Sequence, residues 1–107
     1  MDSQLKKGLV EYSVLATLRH GDSYGYQIIK DSPALLGLTQ STLYPILKRL
    51  ETDGRVSTYS QTHNGRERKY YHVTEQGKQS ITQFLADWEQ LETIHAYIQR
   101  SEQNEEE

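Results

Sequence analysis

The chain has 107 residues, enough for one small domain with an appended element and a modest core. It has no cysteine, which excludes disulfides and thiolate metal sites, and its formal net charge of −3 would by itself argue against a nucleic-acid partner. No apolar run approaches the roughly 18 residues of a membrane span, and Met1 to Leu18 carries Asp2, Lys6, Lys7 and Glu11 where a signal peptide would be apolar, so a cytoplasmic protein without membrane contact is expected.

Apolar side chains recur at helical spacing from Gln4 to Arg19, at Leu5, Leu9, Tyr12, Leu15 and Leu18, with Val10 and Val14 widening the stripe. Gly21-Asp22 ends this helix, and Asp22 or Ser23 is placed to cap a shorter one reaching about Asp31, with Tyr26, Ile28 and Ile29 to bury. Ser32-Pro33 breaks it, and Leu35 to Leu38 reads as an apolar connector. A third helix, capped by Thr39 or Ser41, is predicted to start near Ser41 and run to about Asp53. That start keeps Pro45 near the first turn, where a missing N–H costs least. Leu43, Ile46, Leu47 and Leu50 form its buried face, and Gly54 suits its C-terminal cap.

Residues 56–60 and 68–73 alternate as strands do, and Asn64-Gly65 between them is a hairpin signal because both residues tolerate positive φ. Tyr71 and Val73 are assigned to the core and Tyr70 to the exposed side. Thr74 can cap a last helix from Glu75, whose apolar positions Ile81, Phe84, Leu85, Trp88, Leu91, Ile94 and Ile98 keep spacings of three and four to about Arg100. A helix of about 26 residues is roughly 39 Å long, more than a core made from residues 1–74 can cover, so it needs a partner, most simply its own copy. Ser101 to Glu107 is expected to be an acidic flexible tail. The fold class is therefore mainly α with a small β-hairpin: a winged helix-turn-helix over residues 1–74, a dimerisation helix over 75–100 and the tail over 101–107.

Within that plan the charges are segregated. Residues 1–39 carry four basic and four acidic side chains, residues 40–78 seven against four, and residues 79–107 one against seven. Phosphate attraction is local, screened over about 10 Å at moderate salt, so a basic middle can meet DNA while an acidic arm points away. The third helix would be the reading element, with Gln40, Ser41, Thr42 and Tyr44 suited to base edges and Lys48 and Arg49 to phosphates. Two adjacent cations on a helix are more often only its solvated face. Here Arg66, Arg68 and Lys69 on the adjoining hairpin, with residues 61–69 as the wing, turn them into a patch.

Catalysis is not expected: the four histidines show no metal-ligand spacing, and no nucleophile elbow, phosphate loop or dinucleotide fingerprint is present. Nor is a cofactor or metal. Glu89 and Glu92, one turn apart, read as a solvated acidic edge. Trp88 has two readings, a dimer-core residue or an aromatic wall for a flat apolar ligand between subunits.

Three motifs carry a resemblance: Gly21-Asp22-Ser23-Tyr24-Gly25-Tyr26-Gln27-Ile28, then the run from Ser41 to Glu51, then Gly65-Arg66-Glu67-Arg68-Lys69-Tyr70-Tyr71 with Thr74 and Gly77. Over residues 5 to about 98 the chain resembles the PadR family of bacterial transcription regulators, in the compact subfamily with one C-terminal helix. The resemblance implies a homodimer in which the last helix crosses the partner's first helix, and two winged domains that bind a pseudo-palindromic operator, usually to repress. It implies Ser41, Thr42, Tyr44, Pro45, Lys48 and Arg49 on the reading helix and Arg66, Arg68 and Lys69 on the wing. It also implies a cavity at the dimer centre lined by Trp88, faced by Glu11, Tyr12, Leu15 and Glu92, whose acids would favour a planar aromatic cation as effector. Two other classes stay open: a winged-helix protein-interaction module, which would not need the wing cations, and a drug-binding protein, which would need Trp88 but not the wing.

Overall fold

The computed structural model describes residues 3–105. In chain order the elements are α1 (Ser3–Arg19), α2 (Gly25–Asp31), a single 3-10 turn (Ala34–Leu36), α3 (Gln40–Thr52), β1 (Val56–His63), β2 (Arg66–Val73) and α4 (Glu75–Glu105). This is a winged helix-turn-helix followed by one long helix, mainly α with a two-stranded antiparallel hairpin, as expected.

The core is built where the periodicities converge. Val14, Leu15 and Leu18 of α1 meet Ile28 of α2, Leu36 of the connector, and Leu43, Leu47 and Leu50 of α3. Val56, Tyr71 and Val73 close it from the hairpin and Ile81 from α4, so the long helix shares this core at its start. The Thr74 hydroxyl accepts from the Gly77 amide at 3.1 Å, capping α4 as its position suggested.

Several expectations shift. The cap of α2 falls to Tyr24, with no side-chain hydrogen bond. Ser23 is instead bridged to the hairpin, its amide donating to the Tyr71 carbonyl at 3.2 Å and its carbonyl accepting from the Tyr71 amide at 2.8 Å. Tyr26, expected inside, is 57% exposed. Helix α3 starts one residue early because Thr39 and Thr42 form a reciprocal capping box. Pro45 therefore sits in the second turn, where it removes the amide that would have met the Ser41 carbonyl. The strands are longer than expected and pair from Val56↔Val73 to His63↔Arg66, leaving only Asn64 (φ 50°) and Gly65 (φ 75°) to turn. Two residues at positive φ match the twist of the strands, so the wing is a tight ribbon, not a loop. Finally, α4 continues through Ser101 to Glu105, past the expected end at Arg100; Glu106 and Glu107 lie outside the described residues.

Candidate nucleic-acid interface

At 100° per residue, the buried face of α3 at Leu43, Leu47 and Leu50 leaves Ser41, Pro45 and Lys48 pointing directly outward, all exposed. Gln40 is exposed at the first turn, and the Thr42 hydroxyl, though exposed, is occupied by the capping box with Thr39. Tyr44 lies on one flank of the outward strip and Thr42 and Arg49 on the other, about 140–160° away round the helix.

The flank carrying Tyr44 is where helix and wing meet. Tyr44 (47% exposed) lines a concavity of about 390 Å³ with Tyr24, Tyr26, Arg66, Arg68 and Lys69. Gly25 makes room there, because a Cβ at that position would stand 2.7 Å from the Tyr44 hydroxyl. Each cation is held differently. The Arg68 guanidinium lies 4.5 Å from the centroid of the Tyr24 ring. The Lys69 ammonium is 3.7 Å from Glu51 and 5.6 Å from the Tyr71 ring centroid. Arg66 and Lys48 are exposed and enter no ion pair among the described residues.

Arg49 is the exception among the expected contacts. Its guanidinium donates to Glu11 at 2.9 Å, and the other oxygen of Glu11 is held by Arg55, which also pairs with Asp53 at 3.0 Å. Burial works against the charge of Arg55, but the hydrogen bonds with Glu11 and Asp53 outweigh it and push its pKa up. Glu11 therefore fastens α1 to α3 and the hairpin root.

The root of the wing is fixed by residues that spacing alone did not single out. Asp22 accepts from the Tyr59 hydroxyl at 2.8 Å and lies 2.8 Å from Nδ1 of His72. These hydrogen bonds, the one to His72 foremost, hold the Asp22 carboxyl below its usual range, and the one to Asp22 raises the Tyr59 phenol. Tyr59 stacks on Tyr70, and Tyr70 meets the edge of Tyr24, so the ring that carries Arg68 is itself braced. Tyr70, expected on the exposed side, is half-buried by this stack.

Away from the wing, Tyr12 stacks on Phe84 with centroids 4.2 Å apart, and Phe84 leans on Trp88. The Trp88 indole N–H donates to Glu92 at 3.1 Å. Trp88 and Glu92 line an open apolar concavity of about 540 Å³ with Leu5, Leu91, Ile94 and Ile98. Leu15 is fully buried in the core and does not reach this concavity within one chain. Leu91, Ile94 and Ile98 are each 50–59% exposed and lie within about 60° of one another round α4, an apolar stripe facing solvent. Among the described residues no helix is long and apolar enough to cross a membrane.

Residues 14–83 match the transcriptional regulator PadR-like family. A Streptococcus mutans protein of known structure is 42% identical across 78% of this chain and 79% of its own, with a TM-score of 0.67. A transcriptional regulator from Clostridium thermocellum is 30% identical across 88% of this chain and 93% of its own, with a TM-score of 0.77. The chain is also similar to Bacillus subtilis PadR solved in complex with operator DNA, at 30% identity over 72% of this chain but 46% of that one, with a TM-score of 0.63.

Proposed function

Because the chain belongs to the PadR-like family of transcriptional regulators, whose members act by binding DNA, we propose that it is a homodimeric repressor that occupies a pseudo-palindromic operator. Residues 1–74 form the DNA-binding unit and residues 75–100 the dimerisation helix. The observation that carries this reading is the joining of Tyr44 with Arg66, Arg68 and Lys69 at one concavity beside the outward strip of α3. Helix α3 enters the major groove, with Gln40, Ser41 and Tyr44 toward base edges and Lys48 toward phosphate, while Thr42, its hydroxyl spent on the cap, fixes the start of the helix and the wing grips the backbone beside it. Pro45, exposed in the middle of that strip, offers an apolar face to a thymine methyl or a deoxyribose.

The protein should retard duplex DNA taken from upstream of its own gene. Lys48→Ala and Arg66→Ala should each weaken that binding severalfold and reduce the slope of log affinity against log salt by about 1 per lost phosphate contact. Unchanged affinity and slope in both variants would remove this surface from the reading.

A second element, release by a planar aromatic effector, is favoured by the apolar concavity beside Trp88 with Glu92 at its edge. Such a ligand acts by preferring a dimer whose two reading helices are wrongly spaced. Trp88 is the only tryptophan, so its fluorescence reports the site directly. Titration with planar aromatic cations should quench it, and a flat response across a chemically varied panel would leave Trp88 as packing alone.

A further inference from the structure

We propose that Lys6 and Lys7, near the start of α1, grip the DNA backbone on the side of the reading helix away from the wing; this rests on the DNA-binding reading above. A helix in the major groove has a phosphate backbone along each of its two flanks, because the groove is only about 12 Å wide. The wing cations serve the flank that carries Tyr44. On the opposite flank the sequence offers Arg49, but Arg49 is committed to Glu11 at 2.9 Å. Arg49 and Arg55 carry two positive charges, and Glu11 and Asp53 return two negative ones, so that cluster presents no net charge to DNA.

The cations that remain on this side belong to another helix. Lys6 and Lys7 line a groove of about 380 Å³ together with Thr42, Pro45 and Arg49 of α3 and Leu38 of the connector. The Lys6 ammonium reaches 3.8 Å from the Cβ position of Gly37, two residues before the cap of α3, which places it at the N-terminal end of the reading helix. Neither lysine enters an ion pair among the described residues. The acid one turn beyond Lys7 is Glu11, already held by two arginines. The groove wall is apolar at Leu38, Pro45 and Ile46, with the charge at its edge. That combination fits a sugar–phosphate strand, whose deoxyribose is apolar and whose phosphates are anionic. The reading helix is thus flanked by two cationic grips from opposite ends of the domain sequence, residues 6–7 and residues 66–69.

The test compares three proteins on labelled duplex DNA from upstream of the chain's own gene, over a series of salt concentrations: wild type, Lys6→Ala/Lys7→Ala, and Arg66→Ala. The double alanine variant should flatten the log affinity against log salt slope by about 1.8 per protomer, from the roughly 0.9 contributed by each neutralised phosphate. Hydroxyl-radical protection should disappear on the backbone flanking the major groove opposite the wing and persist at the wing. Lys6→Arg/Lys7→Arg, which keeps both charges, should restore slope and protection. If Arg66→Ala flattens the slope and Lys6→Ala/Lys7→Ala leaves slope and protection as in wild type, this second grip is overturned while the DNA-binding reading stands. If wild type itself does not retard the DNA, both fall.

Discussion

A chain carrying Leu91→Glu and Ile94→Glu should sediment as a monomer of about 12.4 kDa at micromolar concentration, where the unmodified chain, as the proposed homodimer, should sediment at twice that mass. Both side chains are about half exposed and one helical turn apart on α4, in the stripe that includes Ile98. Burying an apolar side chain of this size contributes about 1.5–3 kcal/mol when complete, so half of that, about 1 kcal/mol, remains available at each position for association. The double variant removes this at four positions of a two-fold dimer and asks it to desolvate four carboxylates as well. Neither residue belongs to the domain core, so the circular dichroism spectrum should be preserved. Operator affinity should nevertheless fall at least a hundredfold, because linked half-sites multiply binding by about 10²–10⁴ over a single one. A double variant that remains dimeric would show that another surface joins the protomers.

Gly77→Ala should be among the most destabilising single changes in the domain, although it adds one methyl group. A Cβ there would stand 2.2 Å from the Arg55 carbonyl oxygen and 2.8 Å from Cγ2 of Val73. That carbonyl cannot retreat easily, since it accepts from the Thr74 amide at 3.1 Å and lies where α3 hands over to β1. Overpacking of this kind costs roughly 3 kcal/mol, which for a chain of this size corresponds to a fall of about 15 °C in Tm. Gly21→Ala is the control: nothing stands within 4 Å of its Cβ position, and its stability should change by less than about 0.5 kcal/mol. Equal melting temperatures for the two variants would contradict the close approach of α4 to the hairpin root.

Local signals in the sequence were most reliable where one dominant physical cause acts. Asn64-Gly65 gave the hairpin turn because few residues accept positive φ, and the leucines of α3 gave its buried face because the periodicity runs through three turns. The seven-residue α2 is too short for periodicity to fix a face, and Tyr26 fell outside. Asp22 and Ser23 were legible as polar residues ahead of a helix, but such residues can serve a cap or a neighbour. Their choice was made by Tyr71 and His72, some 50 positions later. Arg49 shows the same difficulty at the site itself. Its spacing marks it as a solvated cation, and only the fold reveals Glu11, 38 residues earlier, as its partner. Charge neutralisation across such distances leaves no periodic trace.

Glu11 and Tyr12 are neighbours on α1, yet one holds Arg49 of the reading helix and the other stacks on Phe84 of α4. The base of the long helix is therefore joined through α1 to the proposed reading helix, and in the proposed dimer α4 would act as a lever pivoting on that joint. Its 31 residues span about 46 Å. From Phe84 to Glu105 the arm is about 32 Å, so a tilt of about 7° at that stack sweeps the far end through about 4 Å, more than the ~3.4 Å that separates successive base pairs. In the proposed dimer, operator register is thus a question of angular tolerance, and a few degrees at the aromatic stack are enough to move one reading helix off its half-site.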